Sequence, residues 1–158
     1  MGRMSTQPGT TERNEPYPGD VTFDLDTTPT RDVRHGVRQL LCHYRGLAVD
    51  DAVLVADELI SNAHRHGDAP RVCRLGLTHQ GRYVRIEVDD ASPRRPRRRT
   101  PDGSGGRGLL LIDRLAATWG VRNFADHKTV WVELALHHGG NSGHAPHLST
   151  ARTWDSED

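Results

Sequence analysis

The stretch Val55-Ala-Asp-Glu-Leu-Ile-Ser-Asn-Ala-His-Arg-His-Gly67 sets two polar side chains, Glu58 and Asn62, four residues apart in an aliphatic context. Residues at that spacing lie one turn apart on the same face of a helix. Their neighbours Leu54, Val55, Leu59 and Ile60 are apolar, so two polar groups among them require a partner or a task. Asp50 is the expected N-cap, with Asp51 also favourable near the positive end of the helix dipole. Val53, Leu54, Ala56, Ile60 and Ala63 form the expected buried side, and Gly67 the expected stop. Two readings of the pair are open at this point. One is a carboxylate that activates a hydroxyl beside an amide oxygen on Mg²⁺; the other is the solvated stripe of an amphipathic helix.

Upstream, Val21-Thr-Phe-Asp-Leu25 alternates apolar with polar and predicts a strand. A helix then starts at Thr28-Pro29-Thr30, carries Val33, Val37, Leu40, Leu41 and Tyr44 at helical spacing, and is expected to close at Gly46. Downstream, 72–78 and 83–88 predict a hairpin around His79-Gln-Gly-Arg82. The proline- and glycine-rich run to 107 cannot be one regular element, and a loop of that length in a small domain is functional or disordered. A helix over 109–117 and strands over 119–124 and 129–136 complete the order. Mixed elements with a mostly antiparallel end predict an α/β (α+β) two-layer sandwich, its sheet covered on one face by helices. The domain spans 20–136. The polar segments 1–19 and 137–158 are expected to be disordered tails.

The composition removes several classes. Twenty-one basic residues balance 21 acidic ones, so no global field favours nucleic acid or a membrane surface. No apolar run approaches a membrane span and no signal-peptide core is present, which leads to an expected cytoplasmic location. Cys42 and Cys73 lack metal-ligand spacing, and each sits in an apolar pattern, as reduced core thiols would. His64 and His66 are two apart and do not share a helix face, so no metal other than Mg²⁺ is expected. The run Arg94-Arg-Pro-Arg-Arg-Arg99 has no interleaved aromatics for base stacking and reads as a solvated lid able to help hold a triphosphate.

Two further features could carry chemistry. Gly103-Ser-Gly-Gly-Arg-Gly108 leads into a helix, where glycines admit close backbone approach and free N–H groups face an anion. Arg107 adds a bidentate charge for phosphate. This is neither a Walker A loop nor a dinucleotide fingerprint. A glycine-rich lid without a ligand is the other reading. Asp90, at the end of an apolar strand, could accept a hydrogen bond from an adenine amino group or could cap a turn.

Taken in order, these features resemble the GHKL superfamily of ATPases, and most closely its bacterial anti-sigma-factor serine/threonine kinases, especially the short stand-alone actinobacterial forms. The matching stretches are 55–67, Glu87-Val-Asp-Asp-Ala-Ser-Pro93, Gly105-Gly-Arg-Gly-Leu-Leu-Leu-Ile112 and Lys128-Thr-Val-Trp-Val-Glu-Leu134, and the likeness covers 21–136. The resemblance implies ATP and Mg²⁺ as cofactors, with Asn62 on the metal and Glu58 as general base. It implies Asp90 on the adenine N6 amino group, and Gly103, Gly105, Gly106, Arg107 and Gly108 around the phosphates. Thr129 is implied near the adenine through water shared with Asp90. The implied partners are a sigma factor, a STAS-domain antagonist phosphorylated on serine, and a second copy of the chain as homodimer. One departure stands out: the superfamily's Asp-x-Gly-x-Gly box is Asp90-Ala-Ser-Pro-Arg94 here. It keeps two other functions open, a non-catalytic ATP-binding module and an interaction scaffold that has lost ATP.

Overall fold

In the computed structural model, which describes residues 19–92 and 106–137, eight elements follow one another. They are β1 (Val21–Asp24), α1 (Thr30–Leu40), α2 (Leu47–His66), β2 (Val72–Thr78), β3 (Tyr83–Asp90), α3 (Gly106–Leu115), β4 (Thr118–Asn123) and β5 (Lys128–Ala135). The predicted tails except Gly19 and His137, the arginine run, Gly103 and Gly105 lie outside the described residues. The strands form one antiparallel sheet in the order β1-β2-β3-β5-β4. The expected sandwich is therefore the fold: an antiparallel sheet with helices packed on one face.

Strand alternation decides which residues meet the helices. Register pairs Cys73 with Val88, Leu75 with Ile86, Val84 with Leu134 and Ile86 with Val132. These inward residues are almost wholly buried and join Val33 and Val37 of α1, Val55, Leu59 and Ile60 of α2, and Ile112 of α3 in one core. Each such side chain contributes roughly 1.5–3 kcal/mol by leaving water. The core is dry enough to push the Cys73 thiol up to about 12, because burial disfavours the thiolate.

The opposite face of the sheet carries charge. Arg74 pairs with Glu87 and Asp89, and Arg85 with Glu87 and Glu133. Trp131 lies in this row with the Arg85 guanidinium 4.7 Å from its ring centre.

Several boundaries and faces differ from the expectations. Helix α1 ends at Leu40, and the chain turns through Leu41, whose carbonyl accepts from the Tyr44 N–H. The Tyr44 hydroxyl donates to the Gly81 carbonyl at 2.7 Å and so fastens this turn to the β2–β3 hairpin. Gly46 opens α2 instead of closing α1: it is the N-cap, at φ +93°, where a side chain would be strained. Asp50 accordingly falls inside the first turn of α2. Leu54 is 42 % exposed, because it lies one turn before Glu58 on the face turned from the sheet. Cys42 is exposed and belongs to no core.

Candidate functional site

Glu58 and Asn62 sit on one face of α2, both half-buried, while Leu59, Ile60 and Ala63 beside them are in the core. Arg71 clamps the end of this helix, donating from Nε to the Ala63 carbonyl at 2.9 Å and from a terminal nitrogen to the Gly67 carbonyl at 2.8 Å. The Ala63 carbonyl also accepts from the Gly67 N–H at 3.0 Å, the last bond of the helix, and the Gly67 carbonyl lies past its end. Asp26 holds Arg71 in turn, and the Arg71 backbone N–H, followed by its guanidinium, draws the Asp26 carboxyl below its usual range.

Beyond the clamp, the helix end abuts Asp90. A Cβ on Gly67 would lie 2.5 Å from Asp90 Cγ and 2.7 Å from the Ala63 carbonyl oxygen, so only glycine permits this approach. The Ala91 N–H donates to the Asp68 carbonyl at 2.9 Å and locks the exit of β3 to the segment after α2. Asp90 is thus held against the C-terminal end of α2, at 3 % exposure. Its Oδ1 accepts from the Ser92 N–H at 2.9 Å, and its Oδ2 faces the Lys128 ammonium at 3.6 Å. Ser92 is itself buried.

Asp89, one residue earlier, points to the other side of the sheet. Arg74 grips both its oxygens, at 2.8 and 2.7 Å, and the Thr129 hydroxyl donates to its Oδ1 at 2.6 Å. Register explains this: Asp89 pairs with Thr129 and Asp90 with Lys128. Thr129 therefore lies on the charged face, bonded to Asp89, while the residue across from Asp90 is Lys128. Sequence reasoning passed over Lys128 as a site residue, although it is the chain's only lysine and counting the β3–β5 pairs back from Val88↔Val130 finds it.

Helix α3 packs against α2 and starts at Gly106, so Gly106 and Gly108 occupy its first turn, where backbone N–H groups have no partner within the helix. The Arg107 side chain, like Gly103 and Gly105, is outside the described residues. Among the described residues no three His, Cys, Asp or Glu side chains converge as metal ligands. A cation here would need Asn62 together with oxygens brought by a phosphorylated ligand. The groups on hand are a buried carboxylate beside an ammonium, a carboxylate–amide pair on α2, and the N-terminus of α3. Those parts suit a nucleotide: an acceptor for a base amino group, a metal-binding oxygen and N–H donors for phosphate.

Comparison with known proteins agrees. The family model described as histidine kinase-like ATPase domain matches residues 23–134. No curated protein sequence matches the chain. Among solved structures, the crystal structure of the RsbU and RsbW domains of Rv1364c from Mycobacterium tuberculosis is similar, with a TM-score of 0.55 and 21% identity over 74% of this chain. The matched region is 32% of that chain, so the present protein spans about a third of its length, and at this identity the likeness is one of fold.

Proposed function

Because this chain belongs to the histidine kinase-like ATPase domain family, we propose that it is a regulatory protein that binds Mg-ATP between α2 and the glycine run entering α3. We assign it transfer of the γ-phosphoryl group to a serine or threonine of a STAS-class antagonist, in a protein that also sequesters a sigma factor, acting as a homodimer. The observation that carries the reading is Asp90, buried where Gly67 leaves no side chain, with no backbone donor on Oδ2 among the described residues.

In this reading Asp90 accepts from the adenine N6 amino group. Asn62 offers its amide oxygen to Mg²⁺, and Glu58, one turn earlier, takes the proton from the acceptor hydroxyl as that oxygen attacks the γ-phosphorus and ADP leaves. Bound Mg²⁺ supplies charge neutralisation across the phosphates. Gly103, Gly105, Gly106, Arg107 and Gly108 close over the phosphates, where backbone donors and the α3 N-terminus stabilise the transferring group. A cytoplasmic setting suits such a partner, and among the described residues no helix is long and apolar enough to cross a membrane.

The test is incubation with Mg-ATP and a STAS-domain antagonist encoded beside it. Label should appear on Ser or Thr, and Glu58→Ala should lower transfer by about 10²–10⁴-fold while ATP still binds. Label that persists in Glu58→Ala would remove Glu58 from its role. A second reading, ATP as a conformational ligand without transfer, is favoured by Asp90-Ala-Ser-Pro-Arg94 in place of the glycine box. Calorimetric binding with no labelled antagonist would select it. Loss of ATP binding altogether would leave an interaction scaffold.

A further inference from the structure

Resting on the ATP-site reading, we propose that Lys128 is a specificity-determining residue of the base pocket, donating from its ammonium to ring nitrogen N1 of the adenine whose amino group Asp90 holds. The register sets the two side chains opposite one another at the ends of β3 and β5, on the helix-covered side of the sheet. Both are withdrawn from water, with 4 % of the Asp90 side chain and 14 % of the Lys128 side chain exposed. Their separation of 3.6 Å is an ion pair and is longer than a hydrogen bond, so the ammonium retains donor capacity. Oδ1 already accepts from the Ser92 N–H, which leaves Oδ2, the oxygen that faces Lys128, as the less engaged acceptor for an incoming amino group.

The chemistry of adenine then dictates the contact. Its amino group, a donor, sits on the carbon next to N1, an acceptor, and a carboxylate with an ammonium beside it presents the complementary acceptor and donor. Neither group alone reads both atoms. The alternative role for Lys128 is to neutralise Asp90 and hold the two strand ends together, with no contact to the base.

The two roles separate with 1-deaza-ATP, which keeps the amino group and replaces N1 by C–H. Calorimetry on the full chain with Mg²⁺ should show ATP binding about tenfold more tightly than 1-deaza-ATP. In Lys128→Met the two should bind alike, and 7-deaza-ATP should match ATP in both proteins. Equal binding of ATP and 1-deaza-ATP to the wild type would overturn the proposal, and this measurement needs no variant to fold. A tenfold preference that survives in Lys128→Met, or a loss seen with 7-deaza-ATP instead, would overturn it too. If the wild type binds none of the three, the ATP-site reading itself falls, a result distinct from equal binding.

Discussion

On the charged side of β3, Asp89 gives both oxygens to Arg74 and shares one with the Thr129 hydroxyl. On the helix side, Asp90 gives one oxygen to a backbone N–H and leaves the other facing an ammonium beyond hydrogen-bond reach. The first carboxylate is more exposed and fully engaged; the second is more buried and incompletely engaged. Burial of a charge costs free energy that full pairing offsets. With one backbone donor among the described residues and a glycine fitted against it, Asp90 keeps acceptor capacity that Asp89 does not. Asp89 serves the sheet, and in the proposed function Asp90 serves the nucleotide.

Exchanging the two residues' fates would break this contrast most directly. Asp90→Asn removes the charged acceptor and should weaken ATP binding about 100-fold, whereas Asp89→Asn should leave affinity within about twofold. Equal losses in the two variants, read by calorimetry, would erase the distinction. Gly67→Ala places a methyl against Asp90 and the Ala63 carbonyl, and should lower stability by about 2 kcal/mol in denaturant titration while also weakening ATP. Thr129→Val should cost about 1 kcal/mol of stability through the Asp89 hydrogen bond and leave ATP affinity unchanged. A large affinity loss there would return Thr129 to the base pocket.

The smallest effect probes the dryness of the helix side. The Cys73 thiol is raised from 9.0 to about 12, so well below pH 9 both folded and unfolded chains keep the proton and nothing changes. Above that the unfolded chain releases it first, so stability falls with rising pH, by about 0.8 kcal/mol at pH 9.5 from this group. Cys73→Ala should remove that share of the alkaline loss. In the native protein, iodoacetamide should reach Cys42 and spare Cys73.

Helix α2, the β2–β3 hairpin and the sandwich were legible because burial imposes periodicities of 3.6 and 2 on the sequence. Gly46 misled because glycine both ends helices and begins them, and only its position in space tells which. Leu54 misled because α2 is apolar on more than one side, so identity alone does not reveal the face left to solvent. The resemblance implies Thr129 near the adenine, whereas its hydroxyl bonds Asp89 on the other face, a relation that strand pairing across a long connection leaves unmarked in the sequence. A shift of one residue in that register moves a side chain to the other face of the sheet. Glu58, Asn62 and Asp90 could be named from residue type and spacing; Lys128 and the reason for Gly67 needed the pairing of β3 with β5 and the approach of α2.

The indole of Trp119 gives its N–H to Asp113 of α3 at 3.3 Å, while Trp131 lies on the far face between Arg85 and Arg122. One fluorophore is therefore wired to the helix that follows the glycine run, and another stands apart from it. With the third tryptophan removed as Trp154→Phe, an emission change that is lost in Trp119→Phe and kept in Trp131→Phe should report α3 settling around a nucleotide in real time, with no label attached.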